Sequence, residues 1–206
     1  ASKPRKSNSN TKSMRGIRSY ARASRRRTLP RHSQILSSTI RYLMSTNETV
    51  IDRFKSQIID AKKQSTCVRI RGGGSKDFYG VNLEGEIVDT NEFTGITEYE
   101  PTELVLTARG GTPLKEIEQT LNENNQMLPF EPPHMGTKAT FGGCIASGFS
   151  GPRRASQGAV RDFVLGARIL NADAVDLQFG GKVMKNVAGF DVSRLLAGSF
   201  GTLGLI

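Results

Sequence analysis

The chain is poor in the residues that build metal and redox centres. Its 206 residues include two cysteines, Cys67 and Cys144, and two histidines, His32 and His134. Two cysteines cannot hold an iron–sulfur cluster or a Cys-rich zinc site, and they make no disulfide framework. Two histidines argue against a multi-histidine metal site, and no metal is expected. No run approaches the roughly 18–20 apolar residues of a transmembrane helix. Acid is missing from residues 1–43, which carry twelve Lys and Arg. The remainder holds 17 basic and 19 acidic residues, so the formal net charge of +10 belongs to the first segment and says little about what the rest binds.

What is present divides the chain in two. Residues 1–43 are Arg- and Ser-rich (SYARASRRRTLPRHSQ) and cannot bury enough surface to order themselves, so a disordered tail is expected. The composition fits a mitochondrial transit peptide. It also fits a basic arm against nucleic acid or anionic lipid, although nucleic acid is not the expected partner. The favoured reading is an upstream stretch outside the mature protein, with Met44 as the start, because the charge balance changes there and a helix begins. The chain as a whole is 36% hydrophobic, enough for a core to be buried. At the other end, Ile206 falls inside an apolar strand, which reads as a truncation.

From Met44 onward helices and strands alternate, so the class is α+β. A helix over 48–63 is expected from Val50, Phe54 and Ile58, with Asn47 as its cap. Strands are expected at 67–71, around 86–89 and around 104–108. Thr112 is expected to cap a helix over 113–124 with Pro113 at its first position and Leu114, Ile117 and Leu121 as its buried stripe. A short helix is read at 142–147, strands at 160–170 and 176–179, a short helix at 191–197 and a final strand at 202–206.

Glycine carries the functional signal. Twenty-one of the 22 glycines follow residue 43, and they cluster. In RIRGGGSKDFYG (69–80) a strand feeds three glycines and Ser75. Successive amides there can form an anion nest, and missing Cβ atoms let a pyrophosphate approach; an ordinary glycine turn is the competing reading. No G-K-[ST] follows, and G-x-G-x-x-G is absent, so Walker and Rossmann sites are unsupported. Two further stretches, 129–170 and 180–206, are too glycine-dense to be plain connectors.

Together these stretches resemble the FAD-binding domain of the vanillyl-alcohol oxidase and p-cresol methylhydroxylase (PCMH-type) superfamily. Within it they are most similar to the FAD-binding E subunits of bacterial glycolate oxidases. The residues concerned are L-P-F-E-P-P-H at 128–134, F-G-G at 141–143, G-P-R-R at 151–154, V-R-D-F-V-L-G at 160–166, V-M-K-N-V-A-G-F-D at 183–191 and G-S-F-G-T-L-G at 198–204. The resemblance implies two small α/β subdomains, about 48–129 and 130–206, with FAD between them. The first should hold a short parallel or mixed sheet and the second a more antiparallel one.

It also implies roles. Gly72, Gly73, Gly74, Ser75 and Lys76 match the loop around the FAD pyrophosphate, which Gly80 and Val81 end. Pro133, His134 and Gly136 match the segment along the flavin. Thr140, Gly142, Gly143, Ser147 and Gly148 match the stretch passing the ribityl and diphosphate. Gly158, Val160 and Ile206 match positions near the adenine. Members that tether FAD through histidine carry it where Ser75 stands here, so noncovalent FAD is expected. The segment NADAVD at 171–176 departs from a turn expected to be richer in glycine. The polar residues that hold a 2-hydroxy acid in such proteins lie largely in a later substrate domain, so catalytic residues stay unassigned. On its own, His134 in a Pro-rich loop reads as a structural hydrogen-bonding residue before a general base. The implied activity is 2-hydroxy-acid (glycolate) oxidation, with a sister flavoprotein subunit and an iron–sulfur subunit as partners. The implied location is the cytoplasm, peripheral to the inner membrane through those partners, or the mitochondrion if the tail is a transit peptide. A non-catalytic flavin-fold scaffold and a truncated stand-alone FAD oxidase are the alternatives.

Overall fold

A computed structural model describes residues 49–80, 84–182 and 189–206. The basic segment, Asn47, Val81 and all of V-M-K-N-V-A lie outside the described residues. Helix α1 covers 49–64, and Val50, Phe54, Ile58 and Ala61 form its buried face at the spacing of successive turns. Strand β1 (Val68–Arg71) pairs in parallel with β2 (Glu86–Asp89). A parallel pair needs a connection of about a dozen residues or more, and the glycine loop from residue 72 serves as that return. Strand β3 (Ile96–Glu100) and β4 (Val105–Ala108) form an antiparallel hairpin with an irregularity between Ile96 and Glu98. Sequence patterning had not shown β3, because ITEYE exposes three of its five side chains and lacks clean alternation.

Helix α2 (Leu114–Asn122) buries Leu114, Ile117 and Leu121 as expected, but its start differs. Pro113 is the cap residue, with ψ 131°, and no side chain caps the helix. The Thr112 hydroxyl instead donates to the Arg109 carbonyl at 2.7 Å and accepts from the Gly95 amide at 2.9 Å. It joins the hairpin to the helix rather than closing the helix end.

Helix α3 (Phe141–Ser147) follows the cap residue Thr140, whose hydroxyl accepts from the Gly143 amide, and ends at Gly148 with φ +66°. Two short helices, α4 (Arg154–Gln157) and α5 (Val160–Phe163), precede β5 (Gly166–Leu170). The expected strand at 160–170 therefore begins only at Gly166. The Ala159 amide donates to Asp162 Oδ2 at 2.8 Å and the Val160 amide to Ser150 Oγ at 3.1 Å, which turns this stretch helical before the strand. Strand β5 pairs antiparallel with β6 (Asp176–Gly180). The turn between them manages without glycine. Asn171 Oδ1 accepts from the amides of Asp173 and Val175, both at 2.9 Å, and Ala174 takes φ +57°. Helix α6 (Val192–Leu196) is capped by Asp191. The expected final strand shortens to one antiparallel bridge, Leu170 to Leu205, because 200–203 form turns around Gly201 (φ +80°) and Gly204 (φ +146°).

Two apolar clusters hold these elements. One joins Val50, Phe54 and Ile58 of α1 to Val88, Leu170, Ala174 and Leu205. The other joins Leu114 to Phe130, Ala139, Cys144, Val160 and Val164. Each draws residues from both sides of 129–130.

Candidate functional site

The glycine-rich stretches converge on one small cleft. Gly72 comes from the loop after β1, Gly110 from the end of the hairpin and Gly142 and Gly143 from α3. Phe200, Gly201, Gly204 and Ile206 come from the last loop, and Ile70, Thr90 and Ala146 complete the lining. Backbone bonds fix the convergence. The Gly142 amide donates to the Gly110 carbonyl at 2.8 Å, the Gly198 amide to Ile145 at 3.1 Å and the Phe200 amide to Ala146 at 2.8 Å.

Close approach explains the glycines. A Cβ on Gly142 would lie 2.9 Å from Gly110 Cα, and one on Gly72 2.5 Å from Thr140 Oγ1. A Cβ on Gly73 would overlap the Lys138 carbonyl oxygen. Gly74 has φ +67°, and the Arg71 guanidinium fills the space its side chain would need. Both are thus closed to ordinary residues, Gly74 through its dihedral and Gly73 through contact alone.

The chemistry of this surface suits an anion bound by backbone. Among the described residues, the amides from Gly72 to Lys76 donate to no protein acceptor. No lining side chain of the cleft is ionisable. Lys76 adjoins this row, makes no ion pair among the described residues, and has its ammonium pKa lowered by burial. Half-buried amides without partners are costly unless a ligand or water takes them, and a row of five fits a phosphate-bearing group.

The other expected residues fall in several places. Gly72, Gly142, Gly143 and Ile206 line the cleft. Thr140, Ser147 and Gly148 shape α3 beside it; the Ser147 hydroxyl donates to the Cys144 carbonyl at 3.1 Å. Gly80 has φ +102°. Pro133, His134 and Gly136 do not line the cleft. His134 Nε2 instead meets the Glu118 carboxylate on α2 at 2.9 Å, and Gly136 has φ +109° with open space about it. Gly158 (φ +110°) and the buried Val160 shape the α4–α5 junction. Cys144 is buried, and desolvation pushes its thiol up to about 12, so it is protonated at neutral pH.

Sequence reasoning missed Gly110, whose signal was the Arg-Gly-Gly-Thr-Pro run before α2. It also missed Arg69, Arg71 and Asp77. Asp77 takes Arg69 Nη2 at 2.9 Å and Arg71 Nη2 at 2.6 Å. The Arg71 hydrogen bond first, and the charges of both arginines after it, hold the Asp77 carboxyl below its usual range.

Comparison with known proteins gives the family. The family pattern described as "FAD binding domain" matches residues 45–177. The chain is 52% identical over 150 residues to "Glycolate oxidase subunit GlcE" of Escherichia coli (strain K12), covering 73% of this chain and 43% of that protein. It is 34% identical over 149 residues to a D-lactate dehydrogenase of Archaeoglobus fulgidus, covering 71% of this chain and 33% of that one. It is 32% identical over 111 residues to "Glycolate oxidase subunit GlcD" of Bacillus subtilis, covering 54% and 23%. The chain thus spans less than half the length of these relatives. Among solved structures, alkyldihydroxyacetonephosphate synthase matches with a TM-score of 0.58 at 22% identity, over 75% of this chain and 28% of that one. That likeness shows the fold, a mixed helix-and-strand FAD-binding architecture of the PCMH type.

Proposed function

The chain belongs to the FAD-binding domain family, its cofactor is FAD, and from that membership we propose that it is the flavin-binding part of a glycolate-oxidising (2-hydroxy-acid) complex. The observation that carries the reading is the 52% identity to the glycolate oxidase subunit over 150 residues, joined to a cleft lined by Gly72, at which a run of amides without protein acceptors begins that fits a dinucleotide pyrophosphate.

The family resemblance and the cleft together suggest each residue's part. The amides of Gly72 to Lys76 receive the pyrophosphate, with Lys76 supplying a positive charge beside them. Gly142 and Gly143 let the backbone of α3 approach the ribityl chain. The end of the chain near Ile206, with the wall at Thr90 and Gly110, takes the adenine side. Gly80, Pro133, His134, Gly136, Gly158 and Val160, which do not line the cleft, and Val81, which lies outside the described residues, stay in the assignment through the family resemblance alone. FAD, when bound, supplies the hydride-accepting chemistry of 2-hydroxy-acid oxidation. The cleft residues bind, orient and exclude water. Among the described residues, no side chain that lines the cleft is ionisable. Ser75 offers no nucleophilic ring nitrogen for a tether, so the cofactor is held noncovalently.

The partners in this reading are a sister flavoprotein subunit and an iron–sulfur subunit that takes the electrons, in the cytoplasm. Among the described residues no helix is long and apolar enough to cross a membrane. The likeness to a D-lactate dehydrogenase favours D-lactate as the second substrate to try. The test is anaerobic mixing of the flavin-loaded complex with glycolate or with D-lactate. Bleaching of the flavin by glycolate supports the reading. Bleaching by D-lactate alone moves the assignment to a lactate dehydrogenase, and bleaching by neither refutes it.

A further inference from the structure

The loop that presents the five unpartnered amides is closed by charge. Arg69 and Arg71 are two residues apart on β1, so both side chains leave the same face of the strand. Asp77 stands just past the amide row. Its Oδ1 takes Arg69 Nη2 at 2.9 Å, while Oδ2 takes Arg71 Nη2 at 2.6 Å and Arg71 Nε at 2.8 Å. The far end of the loop is thereby tied back to the strand from which it departs. Arg71 also passes under Gly74, filling the space where a side chain would stand. The three side chains are 22%, 37% and 38% exposed, partly shielded from the water that weakens surface pairs.

We propose that Asp77, through Arg69 and Arg71, is the positioning residue that holds the 72–76 amide row ready for a pyrophosphate before the ligand arrives. The inference rests on the reading of this cleft as the FAD site. A chain segment with three consecutive glycines has more backbone freedom than any other, and freezing it on binding costs affinity. The Arg69–Asp77–Arg71 unit removes that freedom in the unliganded protein.

A competing role has the opposite sign. If the arginines were themselves phosphate ligands restrained by Asp77, neutralising Asp77 would release them and tighten FAD. The experiment is therefore equilibrium titration of the full chain with FAD, ADP and riboflavin, for the wild type, Asp77→Asn, Arg71→Met and the double variant. Asp77→Asn keeps the side-chain size, and far-UV circular dichroism checks its fold. The expected result is that FAD and ADP weaken by about tenfold, the cost of ordering a released loop, while riboflavin, which lacks phosphate, changes less than twofold. The double variant should be no weaker than either single one. Tighter FAD binding by Asp77→Asn overturns the proposal, as does equal weakening of riboflavin or unchanged FAD affinity. Failure of the wild type to bind FAD sinks the cofactor reading itself, a result distinct from any of these.

Discussion

Replacing Gly73 by alanine adds one methyl group where the fold has no space. The new Cβ would overlap the Lys138 carbonyl oxygen, which is backbone and cannot rotate away. A tolerable carbon–oxygen approach is about 3.3 Å, so the loop or the 138–140 segment must shift on the order of an ångström or two. Overpacking of this kind costs roughly 1–3 kcal/mol of stability. The larger effect falls on the ligand, because the shift carries the amides of 72–76 out of line. Each charge-assisted bond to such an amide is worth about 1.5–3 kcal/mol, so losing two raises the FAD Kd by a hundredfold or more. Gly181→Ala is the control, since nothing lies within 4 Å of its Cβ and its φ is not positive. Gly74→Val adds a disfavoured dihedral and displaces Arg71, and it should abolish yellow flavin absorbance while far-UV circular dichroism is kept. Equilibrium FAD titration with thermal unfolding of the unliganded protein reads both effects. Wild-type affinity in Gly73→Ala would show that the amide row does not hold the cofactor.

Two further outcomes are expected. Thr112 is fully buried and serves both Gly95 and Arg109, so Thr112→Val leaves the Gly95 amide unsatisfied and should cost about 1–3 kcal/mol in urea unfolding. Cys144 has its thiol raised from 9.0 to about 12 by burial. Its contribution to stability is therefore complete below pH 9.0 and lost as pH rises toward about 12, because the unfolded chain ionises first. A Cys144→Ser variant should show a flatter decline across that window. At neutral pH, mass spectrometry after iodoacetamide should find one adduct on the native protein, at the exposed Cys67, and two after denaturation.

The parts of the fold legible in the sequence were those set by local pattern. The Leu114–Ile117–Leu121 stripe gave α2, and the short helix read at 142–147 is α3 but for its first residue. What escaped depended on partners distant in sequence. Thr112 looked like a helix cap until the Gly95 amide competed for its hydroxyl. The stretch 160–170 looked like one strand until Ser150 and Asp162 turned its first half into a helix. Clustered glycines marked the cleft, because close backbone approach leaves a compositional trace. Arg69, Arg71 and Asp77 left none: charged residues beside a loop read as solvated, and only the fold shows that they grip one another. Gly110 is intelligible only once Gly142 and Ile206 are seen against it.

Backbone amides, Gly72 to Lys76, are expected to receive the FAD pyrophosphate. Amide nuclear magnetic resonance of the ¹⁵N-labelled chain, with and without FAD, tests it most directly. On saturation the amide protons of Gly72, Gly73, Gly74, Ser75 and Lys76 should move downfield as they take up charged acceptors and should become protected from exchange, and ADP should move the same resonances. FAD that binds and leaves these five amides unchanged, while shifting others, would contradict the account.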